Sequence, residues 1–187
     1  MKSFFLRIIH DKIKLFFVII ILLLPVIQVV QVWTACYKIG LGFYSPPYAI
    51  FTSLPGVAHH ILNKVLIWFM PLYMSLIFAD TVIEDSETHL SNSEIVRRGK
   101  KIYIRTKVAG TFIMAFALIL VSMLLNLVLC YIVFHNGKFI GMDVGDSPEN
   151  FLYNISHAHP LLANIVFDIV TAFMCALIAA VGTSIAL

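Results

Sequence analysis

Residues 15–33 read LFFVIIILLLPVIQVVQVW, a stretch with no charged side chain. A helix of 17–25 mainly apolar residues is long enough to cross the roughly 30 Å hydrocarbon core of a bilayer. Three further stretches are similarly apolar, at residues 65–83, 108–134 and 161–187. The sequence therefore predicts an all-α fold: a polytopic transmembrane helical bundle with four spans, in one domain of residues 15–187.

The composition of the whole chain agrees with this expectation. Hydrophobic residues make up 60% of the chain and charged residues 12%, whereas soluble domains average about 45–50% apolar and about 25% charged. The apolar runs are unbroken, so they lack the alternation of a transmembrane β-strand. Helices are therefore the expected spanning elements.

The basic residues are distributed unevenly between the connections. Residues 1–14 and 84–107 contain ten of the 13 Lys and Arg residues, and residues 34–64 and 135–160 contain the other three. Loops rich in Lys and Arg stay in the cytoplasm, so we expect a cytoplasmic N-terminus. Apolar residues recur at helical spacing within residues 1–14, which is typical of an amphipathic helix lying in the membrane interface.

Residues 84–107, which we call the charged segment, read EDSETHLSNSEIVRRGKKIYIRTK. Asp80, Glu84 and Glu87 lie at i, i+4 and i+7, so a helix that continues out of the second span would have an acidic stripe. Two interpretations of the segment remain open. Its charges could face solvent and lipid head groups, or they could bind a cytoplasmic protein.

A short helix is expected within the charged segment. Ser91 and Glu94 have the spacing of a capping box, and Gly99 is expected to interrupt the helix that follows. Arg97, Lys101 and Arg105 then recur every four residues and lead into the third span.

The stretch from Pro71 to Asn126 resembles the permease subunits of ABC type-2 exporters, particularly the small Gram-positive permeases of bacteriocin, lantibiotic or drug export and immunity. The resemblance rests on LIFADTVIEDSE and on IVRRGKKIYIRTKVAG, where Arg98, Tyr103 and Lys107 form the pattern R-x-x-x-x-Y-x-x-x-K, followed by LLNL with Asn126. Such permeases usually have six spans. The four spans predicted here, and the apolar end of the chain at Leu187, favour a truncated chain.

The resemblance implies that the charged segment is a coupling segment that docks a separate ATP-binding subunit in the cytoplasm. It implies a multi-pass protein of a bacterial plasma membrane that pairs with a second permease subunit, as a homodimer or a heterodimer. No nucleic acid, cofactor, metal or catalytic residue is expected. The docking residues that it implies are Glu84, Glu87, Arg97, Arg98, Tyr103 and Lys107.

The sequence has no phosphate-binding G-x-x-x-x-G-K-[ST] motif, so ATP hydrolysis is expected in the separate subunit. It also has no H-E-x-x-H motif of a zinc protease. We therefore expect a permease rather than an enzyme. The alternative is a stand-alone membrane immunity or regulatory protein without transport activity.

Two polar side chains inside the predicted spans are candidates for a translocation pathway. Asp168 lies in the fourth span, and an acid in a membrane helix is a functional candidate by default. Asn126 lies in the third span, where a hydrogen bond between helices is the alternative role. The histidine pairs His59–His60 and His157–His159 lack a carboxylate pattern, and the three cysteines have no paired spacing.

Overall fold

The computed structural model describes residues 10–39, 61–88, 90–133 and 159–187, and within these ranges all secondary structure is helical. Three long helices dominate: α1 (Lys12–Ile39), α6 (Lys100–Val133) and α7 (Pro160–Ala186). Among the described residues, these three are long and apolar enough to cross a membrane. The prediction of a helical fold with long apolar helices is therefore confirmed for the described residues.

The second predicted span, residues 65–83, is helical but broken. It comprises parts of α2 (Ile61–Trp68) and α4 (Asp80–Glu87) and, between them, α3 (Met70–Met74) and a π-helical turn, Ser75–Ala79. The helix breaks at Phe69, and Pro71 lies just after the break, in the first turn of α3. The break is explained by Pro71, because proline lacks the N–H that would continue the hydrogen-bond ladder of the preceding turn. A fourth span thus remains a prediction.

The charged segment contains the end of α4, the short helix α5 (Leu90–Arg98) and the first turns of α6. Gly99 separates α5 from α6 with a φ of +83°, a left-handed conformation that glycine adopts without steric cost. The expected interruption at Gly99 is confirmed. Since α5 begins at Leu90, Ser91 lies within its first turn rather than at the N-cap.

The chain divides into two compact units: residues 1–20, 68–119 and 172–187 form the first, and residues 21–67 and 120–171 form the second. In the first unit, the rings of Phe17 and Tyr73 lie 6.0 Å apart between α1 and α3, and those of Phe112 and Phe173 meet edge to face at 5.6 Å between α6 and α7. All the described charged residues of the charged segment belong to this unit.

In the second unit, the buried face of α6 includes polar side chains beside Met123 and Leu127, and its exposed face is apolar. Ser122 and Asn126 are buried, whereas Val121, Val128 and Ile132 are more than half exposed. A water-soluble helix has the opposite arrangement. The pattern therefore fits a helix whose outer face lies in lipid.

Several sequence-based expectations fall outside the described residues. These are residues 1–9 of the interfacial helix predicted over residues 1–14, the greater part of both connections 34–64 and 135–160, and His59, His60 and His157. Lys12 to Lys14 form the first turn of α1.

Candidate functional site

Lys14 is surrounded by three carboxylates in the first unit. Its Nζ lies 2.6 Å from Glu84 Oε1, 3.1 Å from Asp80 Oδ2 and 3.2 Å from Asp11 Oδ2. Asp80 and Glu84 are one helical turn apart on α4, so both reach the same side of that helix. The Lys14 side chain is 1% exposed, whereas those of Asp80 and Glu84 are 46% and 42% exposed. A buried ammonium thus lies beneath half-exposed acids.

Asp11 has a second role, because it immediately precedes α1. Its Oδ1 accepts a hydrogen bond from the Ile13 backbone N–H at 2.9 Å, which satisfies one of the free donors at the helix N-terminus. Desolvation acts to raise the pKa of Asp11, but the Ile13 amide and the Lys14 ammonium stabilise the carboxylate and hold its pKa below the ordinary value.

The carboxylates of Asp11, Asp80 and Glu84 also have the spacing of a cation site. One oxygen from each lies within 4.8 Å of the others, and hard cations prefer such oxygen ligands. The Lys14 ammonium already contacts all three acids. The arrangement therefore provides its own cation, and a metal ion would compete with a buried lysine.

A second buried ion pair joins α4 to α6. Lys107 Nζ donates a hydrogen bond to Asp85 Oδ2, and the two side chains are 13% and 4% exposed. The same Nζ lies 5.8 Å from the centre of the Tyr103 ring, one turn earlier on α6, within reach of a cation–π interaction. Tyr103 is itself buried. The structure thus brings Tyr103 and Lys107 together, as part of the protein interior.

The predicted docking residues divide into two groups. Glu84, Tyr103 and Lys107 make the internal contacts described above, whereas Glu87 and Arg97 are exposed. The Arg98 side chain lies outside what the structure describes. Further exposed side chains on α5 and at the start of α6 are Glu94, Val96, Lys100, Lys101, Ile102 and Arg105.

In the second unit, two side chains of α6 bond to the backbone of α1 around Pro25. Ser122 Oγ donates to the Ile21 carbonyl at 2.7 Å, and Asn126 Nδ2 donates to the Pro25 carbonyl at 3.1 Å. Pro25 has no N–H to donate to Ile21, four residues earlier. Ser122 therefore supplies the hydrogen bond that the proline removes. The interhelical hydrogen bond expected of Asn126 is present.

Asp168 is buried on α7, on the same face as Asn164 one turn earlier; their exposures are 1% and 3%. Ala172, Ala176 and Ala179 continue this buried face toward the end of the helix. The Asp168 carboxylate is thus enclosed by protein, which is where intramembrane acids are found. Asp168 and Asn126 are both interior residues of the second unit.

Sequence reasoning missed three participants. In the sequence Lys14 is one of four basic residues in positions 1–14, Asp85 lies outside the i, i+4, i+7 stripe, and Ser122 is one of many small polar residues. For Ser122 a signal existed: a proline inside a span leaves a carbonyl that a hydroxyl on a neighbouring helix can satisfy. No comparable sequence signal identified Lys14 or Asp85.

Comparison with known proteins places the chain in a family. The family model described as "Protein of unknown function (DUF2705)" matches residues 15–184. The Bacillus subtilis (strain 168) protein named "Uncharacterized protein YybM" is 33% identical over 188 residues, which cover 100% of this chain and 72% of the relative. No solved structure matches the chain.

Proposed function

The chain belongs to the DUF2705 family. We propose that it is the membrane-spanning permease subunit of an ATP-driven exporter. In this proposal the charged segment docks a separate ATPase in the cytoplasm. The protein crosses the bacterial plasma membrane four times, with its N-terminus inside, and it pairs with a second permease subunit. Asp168 and Asn126 contribute to the translocation pathway.

One observation supports the docking role above the others: the two halves of the charged segment are used differently. The acidic half pairs internally through Glu84 and Asp85. The basic half leaves Arg97, Lys100 and Lys101 exposed, with Val96 86% exposed beside them. Apolar side chains among cations form a surface that suits a soluble protein with an acidic groove.

The buried ion pairs also suit this role, because a docking surface works best on a fixed support. Asp85 pairs with Lys107 of α6, and Glu84 with Lys14 of α1. Both α1 and α6 are long enough to cross a bilayer. Force applied to α5 would therefore reach two spanning helices through α4.

The test is co-purification of the tagged chain from its native cells in mild detergent, with the bound proteins identified and counted. We expect a stoichiometric partner with a phosphate-loop motif. The double variant Arg97→Glu/Lys101→Glu should recover that partner on the order of tenfold less, because rim charges govern association. Lys12→Glu, at a cation of α1 that is also exposed, is the matched control and should recover it normally.

Two outcomes would contradict the proposal. Folded wild-type protein that brings down no phosphate-loop protein would favour the stand-alone immunity or regulatory role instead. Equal recovery by wild type and the Arg97→Glu/Lys101→Glu variant would show that the partner docks elsewhere.

A further inference from the structure

The acids of α4 reach two different helices within the first unit. Asp80 and Glu84 contact Lys14 of α1, whereas Asp85 contacts Lys107 of α6. Helix α4 is only eight residues long, and α5 follows it after Thr88 and His89. The position of α5 therefore depends on how α4 is held.

The backbone is irregular on either side of α4 and α5. The π-helical turn Ser75–Ala79 precedes α4, and the Asp80 N–H bonds to the Ser75 carbonyl five residues earlier, a pattern that is common at functional sites. Gly99, in a left-handed conformation with nothing within 4 Å of its would-be Cβ, follows α5. Two irregular points in the chain thus enclose the residues from Asp80 to Arg98.

Of the two lysines, Lys14 has the more demanding environment. Its side chain is 1% exposed, and a buried ammonium is tolerated only when it is paired. Its partners Asp80 and Glu84 are half exposed and can be hydrated without it. The buried ammonium thus depends on these carboxylates, and as long as they pair with it α4 is held at the start of α1.

From this asymmetry we infer that Lys14 is a positioning residue for the docking surface: it links the start of α1 to α4 and thereby sets the place of α5. This inference rests on the proposed function, because it concerns the surface that the ATPase contacts. Lys14 does not touch the partner itself. Movement of α5 by the ATPase would break or restore the contacts of Lys14 with Asp80 and Glu84.

The experiment compares four proteins in lipid nanodiscs: wild type, Lys14→Met, Lys14→Arg and the exposed control Lys12→Met. Hydrogen exchange is measured for residues 80–98 and, as an internal reference, for residues 160–186 of α7. Recovery of the ATPase is measured in parallel on the same proteins. Lys14→Arg keeps a cation with five N–H donors for the three carboxylates.

We expect exchange in residues 80–98 to become about tenfold faster in Lys14→Met, with α7 unchanged. ATPase recovery should fall in the same variant, although Arg97 and Lys101 are intact. Lys14→Arg should restore both readouts, and Lys12→Met should alter neither.

Three results would overturn the inference, and they separate it from the proposed function. Unchanged exchange in Lys14→Met, with the wild type still recovering the ATPase, would refute the positioning role alone. Faster exchange everywhere, including α7, would make Lys14 a general stability residue. If the wild type recovers no ATPase, the proposed function fails and the inference fails with it.

Discussion

Replacing Ser122 with alanine tests the hydrogen bond that compensates for Pro25 inside α1. In the structure Ser122 Oγ donates to the Ile21 carbonyl at 2.7 Å, and both residues are fully buried. Proline at position 25 cannot donate to that carbonyl. Ser122→Ala would therefore remove its cross-helix donor in a place that water does not reach.

The expected loss of free energy of unfolding follows from two ranges of measured hydrogen-bond energies. A buried polar group that loses its partner costs about 1–3 kcal/mol, and hydrogen bonds between membrane helices average about 0.6 and reach about 1.7 kcal/mol. Because the backbone donor at residue 25 is also missing, the upper part of the membrane range applies. We expect Ser122→Ala to lower the free energy of unfolding by about 1–2 kcal/mol, a factor of roughly 5–30 in the folded-to-unfolded ratio.

The decisive comparison is made in a Pro25→Ala background. Alanine restores an N–H that can bond to the Ile21 carbonyl along the helix, so loss of the Ser122 hydroxyl should then cost less than half as much. The assay is titration of the protein from mixed micelles with SDS, followed by the fluorescence of Trp33 and Trp68. Ser184→Ala is the matched control, because the exposed Ser184 hydroxyl bonds within its own helix, to the Ala180 carbonyl.

Equal costs of Ser122→Ala in the wild-type and Pro25→Ala backgrounds would refute this reasoning. They would show that the serine stabilises the protein by packing rather than by replacing the missing donor. A cost no larger than that of Ser184→Ala would refute the claim that the Ile21 carbonyl needs Ser122 at all.

Two further predictions concern the ion pairs of the first unit. Lys107→Met leaves the Asp85 carboxylate buried without its ammonium and should lower the free energy of unfolding by about 3–5 kcal/mol, whereas adding Asp85→Leu should recover most of that loss. The same SDS titration measures both variants. An additive loss in the double variant would contradict the pairing. The pKa of Asp11 is held below its ordinary value. The Asp11 carboxylate therefore adds to the free energy of unfolding above its ordinary pKa, and this stabilisation is lost as the pH falls through the lowered pKa. Asp11→Asn should thus be less stable than the wild type at neutral pH and equal to it in strong acid, and a difference that persists in acid would rule out the charge as its source.

The sequence predicted the helical class and the position of the long helices because both depend on local composition. Runs such as residues 15–33 and 108–134 indicate helices by length alone, and Gly99 marked a real interruption. The break of the second span was harder to predict from the sequence. Pro71 indicates a local disturbance, but a π-helical turn at Ser75–Ala79 has no comparable sequence signal.

The burial of individual charges could not be predicted for a different reason. Lys14 and Glu84 are 70 positions apart in the sequence, and only the packing of α1 against α4 brings them within 2.6 Å. A basic residue at the edge of a span ordinarily extends toward the lipid interface. Lys14 is buried because three carboxylates converge on it, and that convergence is a property of the fold.

This outcome changes which charges are available to a partner. The acidic stripe predicted from Asp80, Glu84 and Glu87 is not one surface. Asp80 and Glu84 pair with Lys14, whereas Glu87 is exposed. The exposed charge around α5 is then mainly basic, with Arg97, Lys100, Lys101 and Arg105 against Glu87 and Glu94. A docked protein must offer acidic groups to this surface, and at 1 M salt, where the screening length falls to about 3 Å, their attraction should be largely lost. Retention of the partner in high salt would mean that Val96 and other apolar contacts, rather than the basic residues, hold the complex together.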